Sequence, residues 1–229
     1  MRASGVAAVL AAAALALAAE PKTVLLLHFD EGQGAQAVDS GPYKLHARVA
    51  KAKWVQGRFG KALEFDGDHA FVDVGQREQL DFGKTQDFTV ECWIKVEPGL
   101  KPGYYYIITS RLRGDMPGYT LALGRGNNVV AGLGDKVNQV SLTTKDSVAD
   151  GKWRHVALVA ERKGKASLYV NGVLQAEEDI SHIVTVSNPK RPLRIGDRGH
   201  DGDFIGCIDE VRISKGARTD FCLDKPYDK

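Results

Sequence analysis

Phe204-Ile205-Gly206-Cys207-Ile208-Asp209-Glu210-Val211-Arg212-Ile213-Ser214 is an alternating run near the end of the chain. Phe204, Ile208, Val211 and Ile213 are apolar, with a displacement at the Gly206-Cys207 step, and Glu210, Arg212 and Ser214 are polar. An apolar/polar period near two marks a half-buried strand. Asp209 stands against that pattern. A carboxylate beside Ile208 is costly to bury unless a cation, an arginine or backbone donors satisfy it.

Upstream, the same kind of segment recurs. Val24-Leu25-Leu26-Leu27-His28-Phe29 reads as a first strand, followed by a polar loop that carries Asp30, Gln33 and Asp39 among glycines. Ala62-Leu63-Glu64-Phe65 and Ala70-Phe71-Val72-Asp73-Val74 flank Asp66-Gly67 and read as a hairpin. In the run from Phe88 to Glu97, Phe88, Val90, Cys92, Ile94 and Val96 share one face, and Thr89, Glu91, Trp93, Lys95 and Glu97 share the other. Further strands are expected at 104–109, 119–123, 129–131, 139–143, 153–160, 166–170, 173–175 and 192–196. Asn171-Gly172 between two of these is a strong hairpin signal, because both turn positions need φ > 0. About a dozen strand candidates and no helical stripe predict an all-β domain: two antiparallel sheets packed face to face, with the first and last strands adjacent.

The N-terminus stands apart. Met1-Arg2 precedes an Ala/Leu/Val run over residues 6–17, and Ala16-Leu17-Ala18 has the small-x-small form of a cleavage site. Residues 1–18 therefore read as a secretory signal peptide, so a secreted or periplasmic location is expected. The run is too short to span a bilayer comfortably, and no membrane insertion is expected. Residues 24–215 form the expected domain and 216–229 a C-terminal tail. Lys+Arg 31 against Asp+Glu 29 is close to balanced and interspersed, which argues against nucleic acid as a partner. Cys92, Cys207 and Cys222 allow three pairings. Cys207 with Cys222 is preferred, because it would tie the tail to the last strand.

Several segments, taken in order, resemble the LamG-like jelly rolls of the concanavalin A-like lectin/glucanase superfamily. They are His28-Phe29-Asp30-Glu31-Gly32 with Asp39-Ser40-Gly41, the run from Gly57 to Gly67, Phe88-Thr89-Val90 with Trp93-Ile94-Lys95, Trp153-Arg154-His155-Val156-Ala157, Leu168-Tyr169-Val170-Asn171-Gly172, and Ile208-Asp209-Glu210-Val211-Arg212-Ile213. Together they span residues 24 to 214. The resemblance implies a two-sheet antiparallel jelly-roll sandwich. It says less about function, since one fold hosts lectins, adhesion modules, glycosidases and lyases.

The resemblance also implies a structural Ca²⁺ between the loop after the first strand and the last strand, held by Asp30, Asp39 and Asp209. Ca²⁺ takes six to eight oxygens from carboxylates and carbonyls, and Gln33 adds one in the same loop. The alternative is that Asp30 and Asp209 cap turns or pair with Arg212 or Arg194. For catalysis, the paired carboxylates of this fold's glycosidases are missing. Glu91 and Glu97 share a face but lie about 20 Å apart at strand rise, and Asp209-Glu210 point to opposite faces. A retaining pair needs about 5–5.5 Å. No enzyme activity is therefore expected, with glycoside hydrolase or polysaccharide lyase as the remaining outside readings. For binding, Trp93 with Glu91 beside it offers an aromatic platform flanked by polar groups, and Tyr104 and Tyr106 extend the rim; such a surface suits a sugar ring. The competing reading packs Trp93 under a loop such as 112–118. The expected function is an exported, non-catalytic module that binds a glycan, or alternatively a cell-surface protein.

Overall fold

The computed structural model describes residues 20–111, 117–199 and 202–228. The expected signal peptide lies outside the described residues. Sixteen strands follow in chain order: β1 (Lys22–Leu27), β2 (Gln36–Ala37), β3 (Ala47–Ala50), β4 (Lys53–Gln56), β5 (Lys61–Asp66), β6 (Phe71–Gly75), β7 (Phe88–Lys95) and β8 (Tyr105–Thr109). The second half is β9 (Gly118–Leu123), β10 (Asn128–Gly134), β11 (Gln139–Ser147), β12 (Trp153–Ala160), β13 (Lys165–Val170), β14 (Val173–Asp179), β15 (Leu193–Ile195) and β16 (Ile205–Lys215). Among the described residues one short 3-10 turn, Glu78–Leu80, is the only helical element.

The strands form two sheets. The first, sheet A, runs β14-β13-β12-β7-β16-β5-β4, with β1 also on β16. The second, sheet B, runs β11-β10-β9-β8-β15-β6-β3-β2. All named strand pairs are antiparallel, and the inward residues of both sheets merge into one apolar core. The sandwich expected from the alternation is present.

The closing strand β16 sits inside sheet A. One side pairs with β7 along its length; the other is shared by β5 at Ile205–Ile208 and β1 at Val211–Lys215. The ladder with β7 shifts between Asp209 and Arg212, where Glu210 takes φ 49°. That extra residue is a β-bulge, and it resets which side chains face inward. Ile208, Val211 and Ile213 all reach the core although their spacing is odd. The displacement thus falls at Asp209-Glu210, not at the Gly206-Cys207 step. Nor is the strand half-buried: from Ile208 to Ser214 both faces are covered.

Two local expectations change. Asp66-Gly67 is not a hairpin turn, because β5 belongs to sheet A and β6 to sheet B. Residues 67–70 form a corner between the sheets, with Gly67 at φ 79° and His69 at φ 54°. Cys207 and Cys222 are not bonded; all three cysteines are free, and Cys92 points into the core. The Asn171-Gly172 hairpin does form, with φ of 49° and 73° at the two turn residues and Val170 opposite Val173.

Candidate binding face

Trp93 and Glu91 alternate with the core residues of β7 as read, but the face they share is closed. Trp93 is 4% exposed. Its ring meets Phe59 edge-on at 5.8 Å and His155 at 5.6 Å, and the Arg58 guanidinium lies over it at 4.8 Å. Among the described residues the cover is the 57–60 loop together with the C-terminal tail; most of the 112–118 loop lies outside the described residues. Glu91 is fully buried, accepting from Arg212 Nε at 2.8 Å and standing 3.0 Å from His155 Nε2. Burial opposes its charge, but the His155 hydrogen bond and the Arg212 charge win and hold the carboxyl below its usual range. The pair is a structural ion cluster, so Trp93 and Glu91 form no open sugar platform.

The other two residues expected to bind, Tyr104 and Tyr106, lie at sheet B, the first exposed and the second half-buried. Tyr104 is 52% exposed. Both line a hollow of about 190 Å³ with Arg111, Thr120, Gln139 and Ser141. The ladder explains the grouping. Tyr106, Ala122 and Val130 lie on one line across β8, β9 and β10, and Thr120, Gly132 and Ser141 on another across β9, β10 and β11. Side chains on such lines share a face, because strand neighbours are in register.

Small residues shape the floor. A Cβ on Gly132 would lie 3.6 Å from Arg111 Nη1, and one on Gly134 would lie 2.9 Å from Arg111 Nη2. The two glycines leave the width that the Arg111 guanidinium occupies. A glycine inside a strand often marks such a close approach. At the rim, Gly202 has φ 75°, and a Cβ there would sit 2.5 Å from the Tyr104 carbonyl oxygen. Only glycine lets that segment lie flat, and its carbonyl accepts the Tyr106 N–H at 2.8 Å.

Guanidinium–aromatic stacking continues beyond the hollow. Arg198 lies 4.4 Å over the Tyr106 ring and lines, with Tyr104 and Asp203, an adjoining hollow of about 450 Å³. Phe71 on β6 is approached by Arg194 at 4.4 Å and Arg48 at 5.0 Å. Arg194 is itself held by Asp197 at 2.8 Å. No local pattern in the sequence marks Arg111, Thr120, Gln139 and Ser141 as one group. The available signal was the Gly132-Leu133-Gly134 alternation within an apolar strand.

The four residues named for Ca²⁺ do not assemble a ligand set. Asp39 is fully buried; Oδ1 accepts the Leu26 and Gly41 N–H groups, each at 2.8 Å, and Oδ2 accepts the Leu45 N–H at 2.6 Å. Asp209 Oδ2 accepts from the Arg58 and Phe59 backbones at 2.8 and 3.0 Å, and Oδ1 from the Glu210 N–H at 2.8 Å. Asp30 accepts the Lys61 N–H at 2.9 Å and, like Gln33, lies on exposed chain. Among the described residues no three His, Cys, Asp or Glu side chains come together as a cation site. These aspartates clasp loops by their backbone donors. Burial and the Glu210 charge nevertheless push Asp209 up to about 7, against those N–H groups.

The two antiparallel sheets and their loops define a jelly-roll sandwich of the concanavalin A-like class. The chain belongs to the concanavalin A-like lectin/glucanases superfamily, whose Laminin_G_3 model matches residues 66–220. Among curated proteins it resembles the botulinum-like toxin eBoNT/J of Enterococcus sp., 25% identical over 185 residues, covering 76% of this chain and 14% of the toxin. Botulinum neurotoxin type X of Clostridium botulinum is 26% identical over 131 residues, covering 56% of this chain and 10% of that toxin. The chain therefore spans a small part of these relatives.

Solved structures agree on the fold. The binding domain of Paraclostridial Mosquitocidal Protein 1 superposes with a TM-score of 0.74 at 18% identity, covering 86% of this chain and 49% of that one. The botulinum neurotoxin serotype D ligand-binding domain, solved in complex with N-acetylneuraminic acid, gives 0.69 at 18% identity, covering 86% of this chain and 48% of that one.

Proposed function

We propose that this chain is an exported, non-catalytic binding module and that its ligand is carbohydrate, taken on the open face of sheet B. The observation that carries the reading is the pairing of exposed Tyr104 and half-buried Tyr106 with the Arg111 guanidinium and the Thr120, Gln139 and Ser141 side chains around one hollow. An aromatic ring packs against sugar C–H groups while the polar neighbours bond its hydroxyls. Exposed Arg48 and half-buried Arg198, which lies over Tyr106, favour an acidic sugar on this face. The solved relative carrying N-acetylneuraminic acid supports that preference. The buried ion pairs around Glu91 leave that carboxylate no access to a glycosidic bond, in keeping with a non-catalytic role.

A glycan array tests the reading, run with the native chain and with Tyr106→Ala. Binding enriched in acidic glycans and weakened about 5- to 30-fold by the substitution is expected, since one stacked aromatic with its bonded neighbours contributes on the order of 1–2 kcal/mol. No glycan binding by the native chain overturns it. A protein ligand is the second reading, favoured by Val173 and Leu174, 61% and 44% exposed beside the β13–β14 turn.

A further inference from the structure

Past β16 the chain continues over residues 216–228 without joining either sheet. Gly216 turns it at φ 105°, where a Cβ would lie 3.0 Å from Pro21 Cα. The segment then crosses the outer face of sheet A above Glu91, Trp93 and His155. Its backbone is held near Gly216 and Arg218, whose N–H groups reach the Asp87 carbonyl and Thr89 Oγ1 at 2.7 and 2.9 Å. Thr219, Asp220, Asp224, Lys225 and Pro226 are exposed.

One side chain of this strap is buried to the depth of the core. Tyr227 is 1% exposed. Its hydroxyl lies 3.0 Å from His155 Nε2 and 3.2 Å from Glu91 Oε2, and the Arg212 guanidinium stacks 3.8 Å from its ring centroid. Its N–H donates to Glu210 Oε2 at 3.0 Å, and the other oxygen of Glu210 meets His28 Nδ1 at 2.8 Å. Phe221 packs on His155 and Tyr169 at 5.1 and 5.0 Å. The hollow is thus shaped to a phenol and the peptide N–H that precedes it. Trp93 Nε1, His155 Nδ1 and Arg212 Nη2, all buried on this face, have no hydrogen-bond partner. Buried polar atoms without a partner each carry a desolvation cost, so the closed strap leaves this face incompletely satisfied.

We propose that the Tyr227 hollow is a receptor site for a tyrosine-bearing peptide segment, and that the strap filling it is exchangeable with the same segment of a second copy of this chain. The strap has the properties of an exchangeable unit. It adds no strand to a ladder, it turns on a glycine, and beyond Arg218 Tyr227 is its one fully buried side chain, with half-buried Phe221 on His155 and Tyr169 and the Leu223 carbonyl on Arg58 as lesser holds. Extended, the chain from Gly216 to Tyr227 reaches about 35 Å, enough to cross to a neighbouring molecule. Exchange replaces each contact by its equal, which makes it a low-cost route to a dimer.

Two measurements test this. In native-state hydrogen exchange on the full chain, the Arg218 and Tyr227 amides should exchange about 100-fold or more faster than the central amides of β7 and β16, because the strap opens without the sheet. Equal rates would mean that the strap leaves only when the domain unfolds, and would overturn the proposal. The second uses the full-length Tyr227→Ala variant and a labelled synthetic peptide of residues 217–229. Saturable binding is expected, at least about tenfold tighter than to the native chain, whose own strap competes. It should be lost when alanine replaces the tyrosine of the peptide. A variant that melts cooperatively yet binds no peptide overturns the proposal; if the variant does not fold, the exchange rates of the native chain decide.

Discussion

Replacing Asp39 by alanine separates two accounts of the loop after β1. In the structure, the Asp39 carboxylate accepts three backbone N–H groups, from Leu26, Gly41 and Leu45, at 2.8, 2.8 and 2.6 Å, in a fully buried position. Asp39→Ala leaves three buried donors without an acceptor. Each such loss costs about 1–3 kcal/mol, and the three are not additive because the loop relaxes as one unit. A total of about 3–6 kcal/mol is expected, a large share of the roughly 5–15 kcal/mol that holds a domain together. For a domain of this size each kcal/mol moves the melting midpoint by about 2–4 °C, so a fall of about 6–24 °C should follow. Asp39→Asn keeps one acceptor oxygen but turns an NH₂ group toward a backbone donor, and should fall between. The assay is thermal unfolding by circular dichroism, repeated in Ca²⁺ and in EDTA. The backbone clasp predicts the same midpoint for the native chain in both. A midpoint that rises with Ca²⁺ in the native chain and not in Asp39→Ala refutes it, since a ligand bound only by the folded state must raise stability. So does a fall of less than about 2 °C in the variant, because three buried donors cannot lose their acceptor so cheaply.

Other outcomes follow from buried titrating groups. Asp209 moves from 3.8 to about 7 on folding, so the folded state binds the extra proton between those values. Its contribution to stability is full below about pH 4 and is lost as pH rises through 7. Urea titrations from pH 4 to 8 should show Asp209→Asn gaining on the native chain as pH rises; parallel curves would show that Asp209 does not titrate in that window. The thiols test the cysteine assignment. Cys92, fully buried with its thiol pushed well up by burial, should resist a thiol reagent until the chain unfolds. Cys207, pushed up to about 11 chiefly by burial, should react slowly, and half-buried Cys222 first. Fewer than three thiols in unreduced, denatured protein would mean that a disulfide exists.

The β16 run shows how far periodicity reaches. Its apolar positions located a core strand, and the oddly placed Asp209 announced that donors had to lie nearby. Those donors are the Arg58 and Phe59 amides, 151 and 150 residues away in sequence, and no local pattern ties them to Asp209. The alternation of β7 separated two faces correctly. Period two cannot say whether the second face meets water, and here the Arg58-Phe59 loop and Tyr227 close it. Turn chemistry had a similar limit. Asp66-Gly67 does turn the chain, but the same residues serve a hairpin and a corner between sheets, and the partner strands decide which. Tyr104 and Tyr106 were legible as surface aromatics. Arg111 was not, because its place over Gly132 and Gly134 depends on β9 and β10 lying side by side.

The position of β16 also bears on how the molecule is made. β16, the last strand in chain order among the described residues, is an inner strand of sheet A, gripped by β7 on one side and by β5 and β1 on the other. Until it arrives, β1 has no ladder partner in that sheet, and β5 and β7 expose unpaired inner edges. Early-made strands cannot complete the sheet among themselves, and the contacts that close it join opposite ends of the chain. Such distant pairings form slowly, so sheet A closes only once the β16 segment is in place.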